Sequence, residues 1–268
     1  MSSPANGPTD RSERQAKIQA AAPRQSKAKP ILAVVIGLLA LAAIIAAIVL
    51  GTRKDDGGAS ASDRPKGAVS DTGGIMLNAT DPGEGVPTLD VYEDFQCPFC
   101  GHFHDSLGAT TDKLAADGKA KVVIHLKTFL DDNLPGEHSL TAANAAACAS
   151  DVSPEAFAKV HDGIFQARPE KEGDPWPDMT FSDVATKAGI TGEAKTTFDK
   201  CVADKKYRGY LGRVEEHSTK NDGVRGTPTY RIDGNEVDLN PYVDPATRLP
   251  RKDAPQMLVK AVEDATKK

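Results

Sequence analysis

Only four cysteines occur among the 268 residues, and just one pair of them is close in sequence. A structural zinc site normally draws on two close pairs, and Cys148 and Cys201 form no such pair with any neighbour. Positive charge is also missing from most of the chain. Residues 1–54 hold 8 of the 33 basic side chains and 2 of the 38 acidic ones, which leaves residues 55–268 near −11. A domain of that charge is a poor binder of nucleic acid. No internal repeat is visible, and there is a single tryptophan, Trp176, whose place among prolines suits a packing anchor.

Long apolar runs are absent except for one. Residues 31–51, ILAVVIGLLALAAIIAAIVLG, are uncharged throughout and as a helix would span roughly 30 Å, the thickness of the bilayer's hydrocarbon core. Arg11, Arg14, Lys17, Arg24, Lys27 and Lys29 precede this run against only Asp10 and Glu13, an excess that keeps the N-terminus in the cytoplasm. An uncleaved anchor fits better than a cleaved signal. Signal cores run to about 7–15 apolar residues, and the small-residue stretch Ala59-Ser60-Ala61 follows the charged Arg53-Lys54-Asp55-Asp56. The expected location is therefore the cell membrane, single-pass, with the remaining chain extracytoplasmic, where disulfides persist.

The chain divides by composition. Residues 1–30 are polar and read as a disordered cytoplasmic N-terminus, 31–51 as the transmembrane helix, and 52–73 as a flexible linker reaching about 25 Å. Folded sequence is expected over 74–268. Thr88–Phe95 alternates as a strand, with Leu89, Val91, Glu93 and Phe95 on one face, and Ala120–Phe129 is a second, rich in β-branched residues. Helical pattern then fills about 137–220, broken at Arg168–Asp178 by three prolines. A hairpin turning at Gly234-Asn235 and a closing amphipathic helix over Asp253–Lys267 follow. Strand, helix, strand, helices, hairpin, helix describes an α/β sheet interrupted by a helical insertion.

The chemistry concentrates in DFQCPFCGHFH, Asp94 to His104. Cys97 and Cys100 fall where a strand ends and a helix begins, and Pro98 suits the first helical turn because its missing N–H would be unpaired there. Free N–H groups and the helix dipole at that end favour a thiolate on the first cysteine. A metal reading is available, since Cys97, Cys100 and His104 share a helical face, but it stays one ligand short. Two structural disulfides are the plain alternative. For Cys148 and Cys201 that answer stands, because both lie in predicted helices and their bond would close a long loop, worth about 4 kcal/mol. For Cys97 and Cys100 the loop is too short to stabilise much. Farther on, Thr227-Pro228 precedes a strand. Its bond is either cis, turning the chain tightly and exposing the Thr227 backbone to an extended peptide, or an ordinary trans proline at a strand start.

Together Cys97-Pro98-Phe99-Cys100 with Phe103, the AANAAAC run at Ala142–Cys148, and GVRGTPTYRIDG at Gly223–Gly234 resemble the thioredoxin fold. The resemblance is closer to its DsbA-like branch, especially the membrane-anchored forms of actinobacteria, in which a helical domain is inserted before the cis-proline strand. It implies a thioredoxin-like α/β fold with that insertion, and a thiol–disulfide oxidoreductase with no cofactor. Cys97 would be the nucleophile, Cys100 the buried resolving thiol, and Thr227 with Pro228 the loop that receives substrate backbone. Substrates would be reduced exported proteins, and reoxidation would fall to a membrane quinone-linked enzyme of the DsbB or vitamin K epoxide reductase-like kind. Two positions depart from the pattern. Phe99 stands where the strong oxidases carry histidine, and Val91 where thioredoxins keep a buried carboxylate, so that Glu93 and His104 become the candidates for a proton relay. The rival readings are a reductase or isomerase of the same fold and a non-catalytic peptide- or metal-binding module.

Overall fold

A computed structural model describes residues 63–176 and 181–267. The expected N-terminus, membrane helix and first part of the linker lie outside these residues. Among the described residues, no helix is long and apolar enough to cross a membrane.

The described strands form one sheet in the order β1-β3-β2-β4-β5. β2 (Thr88–Glu93) lies at its centre, parallel to β3 (Lys121–Leu126) and antiparallel to β4 (Thr229–Ile232). Two short strands close the edges, β1 (Ile75–Met76) on β3 and β5 (Asn235–Glu236) on β4. The hairpin between β4 and β5 turns on Asp233 and Gly234, one residue earlier than the sequence suggests. Both take positive φ, 49° and 77°, the conformation that a two-residue hairpin demands and that Asp-Gly supplies with little strain.

Alternation along β2 sends its side chains to opposite faces. Leu89, Val91 and Glu93 face α1 (Pro98–Ala116) and α3 (Pro154–Gln166), whereas the Tyr92 hydroxyl reaches Asp222 at 3.1 Å, just beyond α6 (Arg208–Lys220). α7 (Ala254–Ala265) packs beside α1. Phe103, Leu107 and Leu114 on α1 and Leu258 and Val262 on α7 are at most 3% exposed and seal this face of the sheet. Each such side chain removed from water contributes about 1.5–3 kcal/mol.

The insertion comprises α2 (His138–Ser150), α3, α4 (Phe181–Lys187), α5 (Gly192–Ala203) and α6. Its centre is α2, where Ala142, Ala143, Ala145, Ala146, Ala147 and Ala149 are each 0% exposed. A helix buried on all sides needs no amphipathic stripe, and alanine lets α3 and α5 approach closely. Asn144, the polar residue at its middle, accepts from the Tyr207 N–H at 2.9 Å and so ties α2 to the turn between α5 and α6. Cys148 and Cys201 are joined with S–S 2.00 Å and Cα–Cα 6.0 Å, linking α2 to α5.

Residues 63–73, which composition assigns to the linker, are tied to the domain. Ala68 bridges Ile75, the Met76 N–H donates to Gly67 at 2.9 Å, and Arg213 reaches the Asp71 carbonyl at 3.2 Å. Backbone pairing holds this stretch, and backbone pairing leaves little trace in composition.

Candidate active site

α1 begins at the cysteine motif. Cys97 is its N-cap, with Sγ accepting from the Cys100 N–H at 3.4 Å, and Pro98 occupies the first turn. Cys97 and Cys100 are both present as thiols, 8% and 1% exposed. Across from them, Thr227-Pro228 is cis, and the Cys97 sulfur lies 3.5 Å from the Thr227 carbonyl oxygen, within reach of a hydrogen bond when the thiol is protonated. The register that sets Thr229 opposite Tyr92 brings this loop to the end of β2, beside the motif. Phe99, half exposed, stands at the helix tip.

The two thiols differ sharply. The hydrogen bond from the Cys100 thiol, with the Cys100 N–H, Thr227 and the Phe99 N–H, outweighs burial and draws Cys97 down from 9.0 to about 6. Burial, followed by the hydrogen bond and charge of Cys97, pushes Cys100 well up. One sulfur is thus an anion at neutral pH while the other holds its proton.

Glu93 and His104 lie in a buried polar cluster on the sheet face beneath α1. Glu93, 4% exposed, is bonded to His161 Nε2 from α3, and His104 Nε2 lies 3.0 Å from Asp162 Oδ1. The two imidazoles are 5.0 Å apart, edge to face. Burial pulls His161 down, but the charge and hydrogen bond of Glu93 win and hold it above its usual value. Burial and then His161 hold His104 below its own. With His104 engaged by Asp162 and stacked on Phe165 at 4.5 Å, the face it shares with the cysteines in sequence is not a shared coordination sphere. Tyr230 joins the cluster, its phenol pushed well up by burial and then by the charges of Glu93 and Cys100.

A second buried acid lies closer to the motif. Asp94, 0% exposed, accepts from Ser139 Oγ at 2.5 Å and from the Gln96 N–H at 3.0 Å, and its own carbonyl receives the Cys97 N–H at 3.0 Å. Burial lifts it from 3.8 to about 7 against those hydrogen bonds. Neighbouring Asp131 accepts from the Ser139 and Leu140 N–H groups, both at 2.9 Å, and caps α2. The motif loop is thereby fastened to the insertion. Sequence reasoning passed over His161, Asp94 and Asp131. For His161 a signal existed, since it falls among Phe157, Val160, Ile164 and Phe165 on the buried face of α3.

A family model described as thioredoxin matches residues 84–248, well over half of the chain. Among solved structures, oxidised DsbA of Mycobacterium tuberculosis is 25% identical, with a TM-score of 0.54 covering 72% of this chain and 93% of that one. The thiol-disulfide oxidoreductase MdbA of Actinomyces oris, 22% identical, has a TM-score of 0.59 over 77% and 96%. A curated relative, the serine/threonine-protein kinase PknE of Mycobacterium tuberculosis, is 29% identical over 167 residues, 59% of this chain. The chain spans only 28% of that kinase's length.

The chain belongs to the thioredoxin family, and its sheet with a helical insertion is similar in fold to DsbA of Mycobacterium tuberculosis.

Proposed function

We propose that this protein is a thiol–disulfide oxidoreductase, and specifically a membrane-anchored oxidase that introduces disulfides into exported proteins through Cys97 and Cys100. The observation that carries the reading is the split between the thiols: a Cys97 held near 6 beside a Cys100 pushed up by burial. Stabilising the Cys97 thiolate stabilises the reduced protein, and so makes its disulfide the better oxidant. At pH 7 a fall from 9.0 to about 6 amounts to about 1.4 kcal/mol, or about 30 mV.

In the forward reaction a substrate thiolate attacks Cys97 Sγ of the oxidised protein, breaking the Cys97–Cys100 bond and expelling Cys100, which takes up a proton. The second substrate thiolate attacks the substrate sulfur of the mixed disulfide, and Cys97 leaves as the stable thiolate. Two electrons pass to the protein and one disulfide appears in the substrate. Thr227, at 3.5 Å from Cys97 on the cis-proline loop, is placed to pair with the substrate backbone, with Pro228 shaping the turn. Glu93 is the candidate proton donor to the expelled Cys100 and, in the reverse step where Cys100 resolves a mixed disulfide, its proton acceptor, with His161 and His104 as the route outward. Reoxidation would fall to a membrane quinone-linked partner of the DsbB or vitamin K epoxide reductase-like kind.

The anchor at residues 31–51 and an extracytoplasmic domain rest on the apolar run and the basic residues before it. Phe99 favours a second reading, a reductase or isomerase, because it offers Cys97 no cation. The reduction potential separates the two. A value near −120 mV is expected of an oxidase, and one near −270 mV would reverse the direction of electron flow.

A further inference from the structure

Next to the cysteine motif opens a cleft of about 500 Å³. Gln96 and Pro98, the residues flanking the nucleophile, contribute to the lining together with His102, Asp105, Gln166, Arg168, Pro169 and Glu170. Nothing in the exchange chemistry above uses it.

The polar groups of this cleft are unequally satisfied. Arg168 grips Asp105 with both guanidinium nitrogens, at 3.1 and 2.5 Å, and also donates to the Phe165 carbonyl at 2.7 Å. It can lie across α1 only because residue 101 is glycine, since a Cβ there would stand 2.3 Å from Arg168 Nε. Its charge is therefore matched within the wall. Gln96, 4% exposed, gives its amide nitrogen to Asp131 and Ser139, both at 2.8 Å, which leaves its carbonyl oxygen without a donor. The Glu170 carboxylate is exposed and has no ion-pair partner among the described residues. What the cleft lacks is a positive charge beside Glu170.

We propose that this cleft is a specificity subsite for a lysine or arginine side chain of the substrate, within about two residues, or roughly 7 Å of extended chain, of the cysteine that attacks Cys97. A basic side chain supplies charge to the exposed Glu170, and Arg168, the cation in the lining, is already neutralised by Asp105. An acidic side chain in the same place would meet the Glu170 carboxylate. The subsite rests on the exchange reaction proposed above and assigns it a substrate class, reduced proteins with basic residues flanking a cysteine.

The test uses the oxidised full-length protein and two-cysteine peptides that differ only in carrying Lys, Ala or Glu on either side of the first cysteine. Their rates of oxidation are compared with their rates of exchange with a small-molecule disulfide, which corrects for the effect of a neighbouring charge on the peptide thiol. At pH 8 and low salt the Lys peptide should exceed the Glu peptide by roughly five-fold after that correction, the upper end for a solvent-accessible ion pair. Glu170→Gln should abolish the excess, Glu172→Gln, outside the cleft, should keep it, and added salt should reduce it. A corrected ratio near one, or a ratio unmoved by Glu170→Gln, would overturn the subsite while leaving the oxidase reading intact. Failure to exchange with any thiol, glutathione included, would overturn both.

Discussion

The carbonyl oxygen of Thr227 stands 3.5 Å from the sulfur of Cys97, although 130 residues separate them. The intervening chain builds a complete helical insertion and then returns, through the pairing of β4 with β2, to place one backbone group against one sulfur. The Cys100 thiol and the N-cap position, against burial, set the character of Cys97, and its titration is the first quantity to measure.

Thiolate absorbance of the reduced protein should rise with a midpoint near pH 6, and Cys100→Ala should move that midpoint upward, because the Cys100 thiol is the largest stabilising partner. The sign for stability follows. A thiol whose value is lower in the folded state stabilises the reduced fold fully above pH 9.0, and this contribution fades as the pH falls through about 6. Alkylation rates that keep rising up to pH 9 would show an ordinary thiol instead.

Glu93→Gln keeps the shape of the Glu93 side chain but removes its charge. Resolution of a mixed disulfide by Cys100 should slow by about 10²-fold at pH 7, a modest share of what proton transfer provides. The deficit should shrink as the pH rises, since hydroxide then competes for the Cys100 proton. A variant that slows equally at every pH would assign Glu93 a purely structural part.

Asp94 predicts a pH dependence of the opposite sense to Cys97. Its folded value near 7 lies above its ordinary 3.8, so its contribution is complete below about pH 4 and is lost as the pH rises through 7, by up to about 4 kcal/mol. His161, also held above its usual value, adds to the same loss above pH 6.5. Urea unfolding of the oxidised protein at pH 5 and pH 8 should show the decline, and Asp94→Asn should flatten it. An Asp94→Asn profile parallel to that of the native protein would remove Asp94 as its source.

Replacing Cys148 and Cys201 together by alanine should lower stability by about 4 kcal/mol, the chain-entropy value for a loop of 53 residues. The Cys97 titration should not move, because the bond joins α2 to α5 and touches neither thiol of the motif. A shift in the Cys97 midpoint would mean that the two cysteine pairs communicate.

How far the molecule was legible in its sequence depends on the range of the interactions. β2 and β3 announce themselves by their alternation and β-branched content, α2 by its run of alanines and α3 by its Ser-Pro-Glu start, and the activated cysteine by its place at a helix start. β1 escapes because two residues carry no period, and residues 63–73 because main-chain bonds hold them. Glu93 was visible as a buried acid, but its partner His161 lies 68 residues away on another helix, and no local pattern pairs them. Arg168 falls in a stretch legible only as loop, and its position over α1 depends on the missing side chain of Gly101.

β1 and β5, two residues each, have a consequence for a protein whose proposed clients arrive unfolded. An extended client chain presents unpaired N–H and C=O groups along its length, and a long open sheet margin would capture it by annealing strand to strand. Margins this short provide little template. The client is left with the cis-proline loop as its main point of purchase, so that engagement is brief, local and centred on the sulfur.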